Sequence, residues 1–319
     1  MTFSVKAKNE ILSANYDGNE IAVLCGVILS CGSIIISNKQ MSFTITTENY
    51  DILKFTKKII EKLYPHAQIE LTGSKKNLGK RVSLFIDPES ANQILKDCGI
   101  ICLDEYGRTN ISLVGDQHLL IEKEGKIAYL AGMFLGAGSI SIPTSKNQEK
   151  TGGYHMEWSF SSGNQADIVC ELLSNLDVFA KIVMRGENYV VYIKGSEQIG
   201  TILATLGASE SYLDIENEIV SRQMRNLINR QSNCISANID KTVNAGLKQL
   251  EAINLIDSII SIDSLPQSLR EIAKIRIEHP EASLQDIVEL LDGKITKSAV
   301  NLRFRKLIQI AKELGETND

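Results

Sequence analysis

Apolar and polar positions divide the 319-residue chain into two parts with different periods. An almost wholly apolar run, Ile21 to Leu29, reads as a buried helix ending at Cys31-Gly32. Alternating segments at 33–38 and 41–47 predict strands, 48–63 has a helical period, 67–72 and 81–87 alternate again, and a helix lies near 88–98. The order then returns: strands at 139–142 and 154–161, a helix over 164–175, strands at 178–185 and 189–194, and a helix over 196–206. The run that starts each half also repeats. Leu24 to Ile34 reappears as Leu130 to Ile140, with both glycines and the Ser-Ile pair in register at an offset of 106 residues. Such self-similarity marks a duplicated supersecondary unit, here αββαββα twice, joined by a polar stretch around 115–125.

Past Gly207 the alternation stops and the chain becomes helical. Residues 215–230 place Val220, Met224, Leu227 and Ile228 on one face and Arg222, Arg225, Asn226, Asn229 and Arg230 on the other. Asn233, Asn238 and Lys241 extend that Arg/amide stretch, which could contact DNA or buttress an interdomain interface. A separate helix is expected over 240–258, with Val243, Leu247, Leu250 and Ile253 at core spacing. Breaks at His279-Pro280 and Asp292-Gly293 divide the tail, 264–314, into three helices. The expected fold class is therefore α+β, a duplicated domain over 1–207 (repeats about 19–114 and 125–207), followed by a helical linker, 208–262, and an all-α domain, 263–319.

In the tail, Ser283 with Asp286 three residues on forms an N-terminal cap for a helix whose Leu284, Ile287, Val288 and Leu291 point inward. Asp292-Gly293 ends it, and Thr296 caps the next. Helix, glycine-bearing turn and helix is the layout of a helix-turn-helix, whose second helix reads the major groove. In that helix Val300, Phe304, Leu307 and Ala311 share the buried side, which leaves Lys297, Ser298, Asn301 and Arg305 in one outward sector as candidate base readers. Lys294, Arg303 and Lys306 flank it and suit phosphates. No acidic residue occurs from Lys294 to Ala311, whereas 271–292 is rich in them. A polar, cation-bearing sector is more often an ordinary solvated face, but that asymmetry favours a nucleic-acid face.

Overall charge adds only a constraint. The formal net charge of −5 argues against indiscriminate coating of nucleic acid, so binding has to come from a local basic face. Six cysteines are scattered; Cys98 and Cys102 are four apart but lack two further ligands nearby, so no metal or cofactor is expected. Residues 1–9 hold two lysines and no apolar core of a leader, and no apolar run approaches the ~20 residues of a membrane helix. The expectation is a cytoplasmic, nucleoid-associated protein without membrane contact.

The repeated helix resembles the LAGLIDADG motif of homing endonucleases, in which paired helices each carry an acid immediately before the final glycine to hold catalytic divalent ions. Cys31 and Ala137 occupy those degenerate positions here, and Leu29 and Leu135 occupy the other usual acid position. No carboxylate remains for a hard cation. No enzymatic activity and no catalytic residue are therefore expected.

Further matches are Tyr129 to Ser139, Arg222 to Cys234 continuing to Ala237-Asn238 and Lys241-Thr242, Leu265 to Ala273, and Lys294 to Asn301 with Arg303, Arg305 and Lys306. On these residues the chain resembles the WhiA family of bacterial regulators over essentially its whole length, departing in a looser first motif and a polar insertion at 144–153. The resemblance implies a degenerate endonuclease domain, a linker and a C-terminal region similar to the promoter-reading part of sigma factors. It also implies roles in transcription, cell division, chromosome segregation and, in sporulating relatives, sporulation. Double-stranded DNA is the expected partner, with RNA polymerase or another regulator as a second candidate. The competing reading is a protein- or ligand-interaction module with only auxiliary DNA binding.

Overall fold

The computed structural model describes residues 2–37, 40–72, 81–103, 108–143 and 153–317. Nearly all of the polar insertion at 144–153 lies outside them. The chain forms two compact units, residues 1–221 and 222–319.

In the first unit, helix α1 (Phe3–Ile11) precedes the first motif helix α2 (Glu20–Cys31), strands β1 (Gly32–Ser37) and β2 (Gln40–Thr47), helix α3 (Tyr50–Leu63), strands β3 (Ile69–Thr72) and β4 (Val82–Ile86) and helix α4 (Pro88–Asp97). A short hairpin, β5 (Ile101–Leu103) and β6 (Thr109–Ile111), leads to the second motif helix α5 (Lys123–Ala137). Strands β7 (Gly138–Ser141) and β8 (His155–Phe160), helix α6 (Gly163–Ser174), strands β9 (Lys181–Arg185) and β10 (Asn188–Ile193) and helix α7 (Ser196–Thr205) complete it. The two four-stranded sheets have the same antiparallel order, β1-β2-β4-β3 and β7-β8-β10-β9, so the duplication read from Leu24 and Leu130 holds in three dimensions. Each sheet turns one face to the helices: Phe43, Ile45 and Leu84 in the first, Met156, Trp158 and Val191 in the second, all buried.

The centre of this unit is the contact between α2 and α5. A methyl group on Gly26 would come within 2.3 Å of the Tyr129 carbonyl oxygen, and one on Gly132 within 2.2 Å of the Val23 carbonyl oxygen. Two helices can approach this closely only where both lack a β-carbon.

The helix expected to end near Arg230 and the one expected to start near Asp240 are a single helix, α8 (Ser209–Ile260). No proline or glycine lies between them, and backbone hydrogen bonding continues through a polar segment as readily as through an apolar one. Its apolar pattern is also less buried than expected: Val243 and Leu247 are exposed, as are Val220, Met224, Leu227 and Ile228, and only the C-terminal end, with Ile253 and Ile256, enters the core of the second unit. That core adds α9 (Gln267–Glu278), α10 (Leu284–Leu290) and α11 (Lys297–Thr317), packed around Ile272, Ile287, Val300 and Phe304. Among the described residues no helix is long and apolar enough to cross a membrane.

Candidate nucleic-acid interface

The second unit builds its outward helix from local signals. Ser283 Oγ accepts from the backbone N–H of Gln285 and Asp286, while Asp286 Oδ2 accepts from Ser283 N–H at 2.8 Å, which completes the capping box at α10. Asp292 and Gly293 both take positive φ, 54° and 68°, and reverse the chain within two residues. Thr296 Oγ1 then accepts from Ala299 N–H and starts α11. Val300, Phe304, Leu307 and Ala311 are buried, so the core fixes the rotation of α11 about its axis.

Arg276, which sequence reasoning passed over, holds the three helices together. It is only 2 % exposed. One guanidinium nitrogen donates to the carbonyls of His279 (3.2 Å), Pro280 (3.1 Å) and Ala282 (2.7 Å), and Nε donates to Gln249 Oε1 at 3.0 Å. Its carbon lies 5.1 Å from the centre of the Phe304 ring, a cation–π contact with α11. Burial pushes the guanidinium pKa below its usual value. Its position had a signal: Leu269, Ile272, Ala273 and Arg276 share the i, i+3, i+4, i+7 spacing of a core face.

On the outer side of α11, Lys297, Ser298 and Arg305 are exposed and Asn301 is half-buried. Leu302, absent from the sequence-based set, borders them beyond Ser298 and is 68 % exposed. It stands opposite Val300, Phe304 and Leu307, where an amphipathic pattern would put a polar residue, and that break in the pattern was its signal. The three flanking cations differ. Lys306 is exposed, Lys294 pairs with Asp292 at 2.9 Å with both side chains open to solvent, and Arg303 donates to the Ser268 carbonyl at 3.4 Å. A solvent-exposed pair such as Lys294–Asp292 is worth little and can exchange for a phosphate.

On α8, Arg222 is half-buried and Arg225, Asn226, Asn229, Arg230, Asn233, Asn238 and Lys241 are exposed. In one continuous helix advancing about 100° per residue, Arg222, Arg225, Asn226, Asn229 and Asn233 stay on one side, but Asn238 falls nearly opposite them. Asn238 donates instead to Cys234 Sγ at 3.8 Å.

The motif helices have no comparable surface chemistry. Cys31 and Ala137 close α2 and α5, and burial pushes the Cys31 thiol up to about 11, so it stays protonated at neutral pH. With a protonated thiol, a methyl group and two leucines, the donor set does not fit a divalent metal. Among the described residues no cluster of His, Cys, Asp or Glu could hold one; Cys98 is buried and Cys102 exposed.

Sequence models of one family match along most of the chain: the WhiA N-terminal LAGLIDADG-like domain at residues 17–101, the WhiA LAGLIDADG-like domain at 126–225 and the WhiA C-terminal HTH domain at 228–311. Proteins named probable cell division protein WhiA are 36 % identical in Thermoanaerobacter sp. (strain X514), over 322 residues, and 35 % identical in Clostridium tetani, over 329; both alignments cover 99 % of each chain. Full-length DUF199/WhiA from Thermatoga maritima, a crystal structure, has the same fold, with a TM-score of 0.57 and 21 % identity over 98 % of this chain and 99 % of that one. Two degenerate motif helices, duplicated sheets and a capped helix-turn-helix in this order, together with these matches, place the chain in the WhiA family.

Proposed function

We propose that the protein is a sequence-specific, non-catalytic DNA-binding transcriptional regulator acting in cell division and chromosome segregation, in the cytoplasm and on the nucleoid. The observation that carries this reading is the outer side of α11, where Lys297, Ser298, Asn301 and Arg305 project from a helix whose rotation is set by Val300, Phe304 and Leu307. Arginine and lysine pair with guanine, asparagine pairs with adenine, and the exposed Leu302 is suited to a thymine methyl group. Lys294, Arg303 and Lys306 supply phosphate contacts at the edge of the groove. The relatives' name supports the role in cell division, and a transcriptional role calls in addition for contact with RNA polymerase or another regulator.

A mobility-shift titration of the full chain against salt tests the reading. Binding should weaken linearly in log salt with a slope near −0.9 per phosphate contact. Charge reversal of Lys306 should reduce that slope by about one contact. Reversal of Arg222 and Arg225 decides the Arg/amide face: a shallower slope at unchanged stability assigns it to DNA, and lower stability at unchanged slope assigns it to buttressing. A chain that binds no DNA at low salt overturns the proposal.

A further inference from the structure

The ends of the two motif helices are closed by polar side chains that come from elsewhere in the first unit. Leu29 and Leu135 are equivalent across the repeat, and each carbonyl belongs to the last turn of its helix, where no backbone N–H of the helix is available. Gln165, buried on α6, donates from Nε2 to the Leu29 carbonyl at 2.5 Å. Lys8, half-buried on α1, donates from Nζ to the Leu135 carbonyl at 2.9 Å. The same ammonium lies 5.7 Å from the centre of the Phe134 ring and close enough to Cys31 to pull its thiol partly back down. Burial brings the Lys8 pKa down to about 8, so at neutral pH most molecules still carry the charge.

Helix α1 is fixed in this place along its length. Ser4 Oγ accepts from Ile140 N–H on β7 at 3.3 Å. Lys6 Nζ pairs with Asp214 at 2.7 Å, and Glu10 accepts from Ser211 Oγ at 2.6 Å and Ser211 N–H at 3.1 Å, both on the first turns of α8. Lys8 is therefore delivered by a strap tied at both ends, not by a loose terminal segment.

We propose that the Lys8 ammonium is a resident internal cation at the place where acids would hold an ion: α1 holds it against the Leu135 carbonyl beside Cys31, and with Gln165 on the Leu29 carbonyl it caps the C-terminal ends of both motif helices. The converging C-terminal ends of α2 and α5 carry partial negative charge, which favours a cation there with or without carboxylates. The site has thus exchanged carboxylates and a mobile metal for a tethered ammonium, and a carboxylate returned to the motif would meet that ammonium first.

A double-mutant cycle on the full chain at pH 7 reads this directly, with Lys8→Met, Cys31→Asp and the two combined, each followed by thermal unfolding. Cys31→Asp should stay within about 3 °C of the parent, because its carboxylate meets the Lys8 ammonium. In the Lys8→Met background the same substitution should lower Tm by about 10 °C or more, because a buried carboxylate is left without a partner. Equal losses in the two backgrounds overturn the proposal. Competitive acetylation of the unaltered chain as a function of pH is independent of any variant: Lys8 should titrate below the ordinary lysine value of 10.5, and titration at that value also overturns it.

Discussion

Truncating Arg276 to alanine should be the most damaging single change in the C-terminal unit. It would remove the donor from four acceptors at once: the Gln249 amide oxygen and the Ala282 carbonyl in buried bonds, and the carbonyls of His279 and Pro280 in part-buried ones. An unsatisfied buried acceptor costs about 1–3 kcal/mol, and the contact with Phe304 adds about 0.5–2 kcal/mol. Water can satisfy the part-buried carbonyls of His279 and Pro280, so the two buried acceptors and the lost ring contact set a net loss of about 3–5 kcal/mol. For a unit of this size that corresponds to a fall in Tm of about 12 °C or more. Urea unfolding followed by circular dichroism would measure it. Arg276→Lys should recover only part of the loss, because one ammonium cannot reach both Gln249 and the loop carbonyls. A loss below about 1 kcal/mol would refute the reasoning, as would impaired DNA binding at full stability, since the latter would make Arg276 a DNA contact.

Gly132→Ala should destabilise the N-terminal unit by more than about 3 kcal/mol, because the added methyl group meets the Val23 carbonyl and the Val27 nitrogen of α2 and neither is a movable side chain; thermal unfolding checks this. Stability should also rise with pH between about 8 and 10.5 more steeply in the parent than in Lys8→Met. Lys8 gives up its proton near 8 when folded and near the ordinary lysine value of 10.5 when unfolded, so across that window the unfolded state holds more protons. Cys31 acts in the opposite sense between 9 and about 11, which is why the comparison with Lys8→Met is needed.

How far the architecture could be read in advance depended on whether its cause was local. The glycines at 26 and 132, the alternation in each half and the caps at Ser283 and Thr296 are short-range signals, and the elements they specify fall within a few residues of expectation. Helix α1 escaped notice because only Ala7 and Ile11 of its nine residues are fully buried, and β5 and β6 are too short, at three residues each, to show alternation. The continuity of α8 was missed for a different reason: a polar stretch at 231–242 resembles a linker by composition, yet nothing in it terminates a helix. The outward sector of α11 followed from its buried face. The roles of Arg276, Lys8 and Gln165 did not, because their partners include groups 27, 127 and 136 residues away. A charged residue at core spacing is recognisable as unusual, but its partners become visible only in the fold.

Whether α11 reads base sequence is decided by comparing the parent with Asn301→Ala and Arg305→Ala on a cognate site and on a scrambled duplex at fixed salt. Arg305 is exposed and Asn301 half-buried, so folding should change by only about 0.5–1 kcal/mol, which circular dichroism would confirm. Each substitution should weaken cognate binding by about 1–3 kcal/mol, leave scrambled binding nearly unchanged for Asn301→Ala, and relax the preference at one base position. If both variants remain folded and bind the two duplexes as the parent does, α11 is not the recognition helix.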